Sequence, residues 1–204
     1  MTFEWMDVDG RRVPATDGAP VGDERVVDGM RLWEPHESKI AACLALGLDL
    51  PFDSDDAVLY LGGGGGTTPS YVADVARVVY AVEFARRPAR RLLDVAADRP
   101  GLMPVVEDAR RPERYRAFVE EVDFLYQDVA TRGQADVALR NRDYLRDGGV
   151  AWLCVKARSE DVTREPGEVY DDVVGELEGS FDVERVVDLE PFYDDHAVVV
   201  ASKL

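Results

Sequence analysis

Hydrophobic and polar positions divide the chain into a broken leader and a long alternating region. Residues 1 to about 33 are short mixed segments interrupted by Gly10, Pro14, Gly18, Pro20, Gly22 and Gly29. Within them, 3–5, 11–13 and 25–27 have the make-up of brief strands. Residues 37–48 place Ile40, Cys43, Leu44 and Leu48 at helical spacing. Residues 57–61, A-V-L-Y-L, form a continuous apolar run, as in a strand buried on both faces. Strand patterns then recur at 77–84, 102–106, 122–126 and 150–155. Helical patterns fill 69–76, 85–97, 112–121, 134–146 and 166–178. The last two strands, 183–189 and 197–201, are joined only by E-P-F-Y-D-D-H, which makes them antiparallel neighbours. Alternating β and α segments predict an α/β fold with a parallel sheet. The reading is a small N-terminal β subdomain over 1–33 and a main domain over 34–204.

The most informative stretch is the turn after the first long strand, L-G-G-G-G-G-T-T, residues 61–68. Strand, glycine turn and helix make the opening unit of a doubly wound domain, whose ligands bind beyond the carboxyl ends of its strands. A G-x-G-x-x-G fingerprint started at Gly62, Gly63 or Gly64 meets Thr67, Thr68 or Pro69 instead of its last glycine. A Walker loop would need a lysine that is not there. What remains is a glycine-rich turn with an acid, Glu83, about 20 residues on, which suits a nucleoside without a pyrophosphate.

Other polar residues fall at successive strand ends. Glu83 can accept hydrogen bonds from both ribose hydroxyls, and Asp108 can bond an adenine amino group. Asp128, Lys156 and His196 follow at later strand ends. A single strand-end acid commonly caps a helix, and a lone histidine in a hairpin often only packs. With Thr68 after the first strand, six such positions together point to a ligand site. Lys39, near the start of its helix, would ordinarily be a solvated lysine.

Five β/α units closed by a hairpin look like the Rossmann-like seven-stranded sheet of S-adenosylmethionine-dependent methyltransferases. More specifically, the chain resembles the fibrillarin family in its archaeal form over about residues 30–203. The likeness is carried by R-L-W-E-P-H-E-S-K-I-A-A (31–42), V-L-Y-L-G-G-G-G-G-T-T (58–68), V-Y-A-V-E-F (79–84), P-V-V-E-D-A-R-R-P-E-R-Y-R (104–116), Q-D-V-A (127–130), G-G-V-A-W-L-C-V-K-A (148–157) and L-E-P-F-Y-D-D-H-A-V-V-V (189–200).

The resemblance implies an S-adenosyl-L-methionine pocket made by Gly62, Gly64, Thr67, Thr68, Glu83, Phe84, Asp108, Ala109, Asp128, Val129, Ala130 and Thr131. It implies a catalytic set of Lys39, Asp128, Lys156 and His196, with no metal. Asp128 or Lys156 would help accept the proton of a ribose 2′-hydroxyl, while Lys39 and His196 position the ribose and its phosphate. It further implies an RNA ribose 2′-O-methyltransferase acting on rRNA or tRNA. Such an enzyme works in a particle with a C/D box guide RNA, a scaffold protein and a kink-turn-binding ribosomal-type protein. Two departures stand out. The usual G-A-A-S-G-T-T turn has glycine in place of its alanines and serine. Thr131 stands where the family has a cofactor-contacting glutamine, which Gln134 could replace.

Charge taken alone opposes an RNA substrate. The chain has 204 residues, 41 acidic against 24 basic, and a net charge of −17. Only Lys39, Lys156 and Lys203 are lysines, so 21 of the basic residues are arginines. Acid spread over the whole length fits a high-salt proteome. A subunit delivered to RNA by protein contacts needs no large basic face. The arginines at 86, 87, 90, 91, 110, 111, 114 and 116 either form a basic strip or pair with surface acids. Cys43 and Cys154 lack paired or metal spacing and read as buried thiols. The acidic N-terminus lacks a signal-peptide pattern, and no apolar run approaches ~18 residues; the expected location is cytoplasmic, with no membrane partner. The final Ser202-Lys203-Leu204 matches a peroxisomal address only as a tripeptide. Competing readings are a methyltransferase acting on protein or a small molecule, disfavoured by the lack of an N-P-P-Y-type motif, and a non-catalytic assembly subunit.

Overall fold

A computed structural model describes residues 3–204. A four-stranded antiparallel sheet comes first: β1 (Phe3–Val8), β2 (Arg11–Thr16), β3 (Val26–Val27) and β4 (Met30–Leu32), in the order β1-β2-β4-β3. Its fourth strand has no counterpart in the sequence pattern, because three residues are too few to show alternation.

The main body follows as α1 (Lys39–Ala45), β5 (Ala57–Leu61), α2 (Thr67–Ala73), β6 (Val78–Val82), α3 (Arg86–Ala96), β7 (Leu102–Val105), β8 (Val122–Gln127), α4 (Gln134–Asn141), β9 (Leu145–Lys156), α5 (Ala157–Glu160), α6 (Pro166–Leu177), β10 (Phe181–Asp188) and β11 (His196–Lys203). The seven strands β5–β11 form one sheet in the order β10-β11-β9-β8-β5-β6-β7. Strands β7, β6, β5, β8 and β9 are parallel, and β11 lies antiparallel between β9 and β10. The chain leaves β5 toward β6 on one side and returns to β8 on the other. That reversal opens a crevice at the strand ends. All five residues of β5 are buried, as a central parallel strand with covered faces requires.

Two apolar layers clothe the sheet. Leu59, Leu61, Leu125, Leu153 and Val199 face one layer with α4 and α6. Tyr60, Phe124, Tyr126, Trp152 and Val198 face the other with α1 and α2. A buried ionic seam fastens the N-terminal sheet to α2. The Arg31 guanidinium is fully buried. It donates to Glu24 at 2.8 and 3.0 Å, to Asp74 at 3.0 Å and to Ser70 at 2.9 Å. Its face lies 4.3 Å from the Tyr71 ring centre. Thr16 donates to the same Asp74 at 2.8 Å.

Two helical expectations are corrected. Residues 112–121 hold only a 3-10 turn, Pro112–Arg114. Tyr115 turns inward there, stacks on Tyr144 at 5.5 Å and donates to Asn141, which leaves no helical ladder, and Phe118 is exposed. The helix expected over 134–146 stops at Asn141, and Leu145 already pairs with Val122. Asp147-Gly148-Gly149 forms an irregularity inside β9 before pairing resumes at Val150 opposite Phe124. Among the described residues, no helix is long and apolar enough to cross a membrane.

Candidate active site

A cleft at the crevice has a volume of about 440 Å³, within the range of small-molecule sites. Gly62 and Gly64 form its floor beside Glu83, Phe84, Asp108, Ala109, Asp128, Val129, Ala130 and Thr131. Gly62 is there for a steric reason. Its φ is +87°, and a Cβ would lie 2.2 Å from the Asp128 carbonyl oxygen. The glycine turn and the Asp128 loop therefore touch backbone to backbone. The Asp128 N–H donates to Leu61 O at 2.8 Å, and the Gly62 and Gly63 N–H groups donate to Val82 O at 2.9 Å. Glu83 bridges the turn and α3, its carboxylate accepting from Gly64 N–H at 3.0 Å and Ala85 N–H at 2.7 Å.

Three expected pocket residues sit differently. Thr67 and Thr68 occupy the first turn of α2 and are not among the cleft-lining residues. Asp108 lines the cleft but is held by Arg110 through its guanidinium at 2.7–3.1 Å and its backbone N–H at 2.9 Å. That hydrogen bonding holds the Asp108 carboxyl below its ordinary value. Thr131 is in the cleft, whereas Gln134 is fully buried elsewhere. The Gln134 amide accepts from Lys156 N–H at 2.9 Å and donates to Lys156 O at 3.1 Å. Gln134 thus fixes the Lys156 backbone and has no amide left for a cofactor. Glu160, on the short helix α5, caps α4 by accepting from Gly133 and Gln134 N–H.

Lys39, Asp128, Lys156 and His196 converge. Ser38 caps α1, accepting from Ala41 N–H, and so places Lys39 on the first turn. Lys39 Nζ donates to both Asp128 oxygens at 2.9 and 2.8 Å. Its ammonium also lies 5.1 Å from the Tyr193 ring centre, a cation–π distance. Burial acts to lower the Lys39 pKa, but the Asp128 charge and hydrogen bond outweigh it and the pKa is raised. Lys156 and His196 are directly opposed residues of β9 and β11, so their side chains share one face. Burial pulls the His196 imidazole below its ordinary value, and the Lys39 and Lys156 charges push the same way. His196 Nδ1 lies 2.6 Å from the Asp194 carbonyl. A carbonyl can only accept, so Nδ1 carries the proton and Nε2 keeps a free lone pair.

The floor under this cluster escaped the sequence reading. Tyr60 and Tyr126 pack at 4.7 Å, and the Tyr126 hydroxyl lies 3.0 Å from Cys154 Sγ. Burial, then the Asp128 charge, pushes the Cys154 thiol up to about 12. Tyr193 was visible only as part of the hairpin segment before His196. Asp128 alone belongs to both groups: it lines the cleft and pairs with Lys39.

The chain matches the fibrillarin family model over residues 11–204. It is 52% identical over 197 residues to the fibrillarin-like rRNA/tRNA 2′-O-methyltransferase of Halobacterium salinarum, covering 96% of this chain and 93% of that one. The structure of Aeropyrum pernix fibrillarin with natively bound S-adenosyl-L-methionine superposes with a TM-score of 0.86 at 42% identity, covering 97% of this chain and 92% of that one. A fibrillarin–Nop5p complex contains a chain that matches with a TM-score of 0.91 at 35% identity, covering 98% of this chain and 97% of that one. A cleft floored by glycine beside a Lys-Asp-Lys-His cluster, on a seven-stranded sheet this similar, places the chain in the fibrillarin family.

Proposed function

We propose that this protein transfers a methyl group from S-adenosyl-L-methionine to the 2′-hydroxyl of a ribose in rRNA or tRNA, as the catalytic subunit of a C/D box guide-RNA particle. The observation that carries the reading is the double membership of Asp128. It joins a nucleoside-sized cleft to a cluster of ionisable groups.

The residues present suit the cofactor. The glycine turn lets the backbone come close to a ligand, and Glu83 is already oriented by two backbone N–H groups at the point where a ribose would lie. Exposed Phe84 offers a flat apolar wall. When bound, S-adenosyl-L-methionine supplies an electrophilic methyl group. The protein's part is mainly alignment. Lys39 holds Asp128 at the cleft, and Gln134 sets the Lys156 backbone opposite His196. Asp128 takes the hydroxyl proton, and the neutral His196 Nε2 is the second acceptor within the same cluster. The hydroxyl oxygen would gain the methyl carbon as the carbon–sulfur bond of the sulfonium donor breaks, leaving a neutral thioether, and the proton stays on the protein until solvent removes it.

Base pairing between guide and target supplies the sequence reading, as in other RNA-guided systems. A scaffold protein and a kink-turn-binding protein bring the subunit to its target, which reconciles the acidic chain with an RNA substrate. Labelled cofactor, target RNA, guide RNA and both partner proteins at high salt test this. Label should appear at one ribose 2′-oxygen, and only with the full set. Label on protein, or on RNA without guide, would overturn it.

A further inference from the structure

We propose that the exposed arginine face of α3 binds the phosphate backbone of the RNA beside the target nucleotide; this rests on the RNA reading above. Among the described residues, twelve of the 21 arginines meet a carboxylate. Arg110 and Arg114, two members of the strip expected from sequence, are among them. Arg86, Arg87, Arg90 and Arg91 are exposed and have no ion pair among the described residues. They occupy six consecutive positions in a chain of net charge −17. Asp94, one turn further on, pairs with none of them.

This arrangement works against the helix that carries it. Cations at a helix N-terminus oppose its dipole. Arg86 with Arg90, and Arg87 with Arg91, are like charges at i,i+4. The first turn has no acid, and Ala85 gives no side-chain cap. The Glu83 carboxylate on Ala85 N–H offsets part of the dipole cost, but no ion pair among the described residues offsets the repulsion among the arginines, which marks a surface whose partner lies outside the molecule. The face also borders the cleft. Glu83 and Phe84 line the cavity immediately before α3, and Arg91 packs beside Gly65 of the glycine turn. RNA whose ribose enters the cluster would run its neighbouring phosphates along this rim, where guanidinium groups make paired hydrogen bonds to phosphate.

The test uses the reconstituted particle and the variant R86Q/R87Q/R90Q/R91Q, its four-lysine counterpart, and R12Q/R185Q as a control with arginines elsewhere that have no ion pair among the described residues. Methylation is followed against target RNA concentration over a potassium chloride series, with cofactor affinity and scaffold assembly measured alongside. The glutamine variant should raise KM for RNA about tenfold with kcat and cofactor affinity unchanged. Its dependence of log affinity on log salt should be shallower by about 3. The lysine variant should stay close to wild type, and so should the control. If the quadruple variant does not fold, R86Q/R87Q and R90Q/R91Q should each lower the slope by about half as much. An unchanged KM and slope, or loss of scaffold assembly instead of RNA affinity, would overturn the proposal. A wild-type particle that methylates no RNA would instead remove the functional reading beneath it.

Discussion

Replacing Gly62 with alanine probes the closest backbone contact in the site. The new Cβ would lie 2.2 Å from the Asp128 carbonyl oxygen and 2.8 Å from its carbon. Relief requires that oxygen to move back to an ordinary contact of 3.4 Å or more. The Asp128 backbone is not free to do so, because its N–H is bonded to Leu61 O at 2.8 Å. The φ of +87° adds about 1–2 kcal/mol for an L residue, and overpacking against backbone about 1–3 kcal/mol. The expected destabilisation is therefore about 2–5 kcal/mol, roughly the combined range of those two terms. Gly148→Ala is the control: its φ is +69° and nothing lies within 4 Å of the added carbon, so it should cost only about 1–2 kcal/mol. Since Asp128 carries Lys39 with it, a displacement near 1 Å should also lower catalytic efficiency about 100-fold. Denaturant unfolding and methyl transfer to guided RNA measure the two effects. Equal stability costs for both variants, with full activity for Gly62→Ala, would refute the steric reasoning.

Two further predictions concern the seam and the histidine. Arg31→Met leaves the fully buried Asp74 short of its main counter-ion and should cost about 3–5 kcal/mol in denaturant unfolding; a cost under ~1 kcal/mol would show the seam to be replaceable packing. His196 has a folded pKa below its ordinary 6.5. The unfolded chain thus binds more protons just below pH 6.5, so His196 contributes stability that is present above 6.5 and lost as pH falls through that window. His196→Gln should flatten this part of the stability–pH profile, and identical profiles for wild type and variant would contradict the assignment.

Much of this architecture was legible because its signals are local. The apolar run 57–61 and the glycine turn declare themselves within a dozen residues, and the final hairpin within the stretch 183–201. Asp128, Lys156 and His196 were found by asking what stands at strand ends, and Lys39 only through the family resemblance. What escaped depends on contacts between distant segments. Lys39 meets Asp128 across 89 positions, and no periodicity announces that pair. Gln134 lies in an ordinary helical pattern, yet its amide spans to the Lys156 backbone. Residues 112–121 look helical until Tyr115 finds Asn141. The arginines of the strip are alike in sequence, and only the fold separates Arg110, bound to Asp108, from the four on α3 that have no ion pair among the described residues.

The most direct test of the central claim is Asp128→Asn in the full particle, with cofactor affinity and single-turnover methyl transfer measured on the same preparation. The side chain keeps its size and loses its charge and proton affinity. The account predicts that S-adenosyl-L-methionine still binds within a few-fold of wild type while transfer falls by about 100-fold or more. Wild-type transfer by this variant would contradict the claim that Asp128 couples the cleft to the cluster.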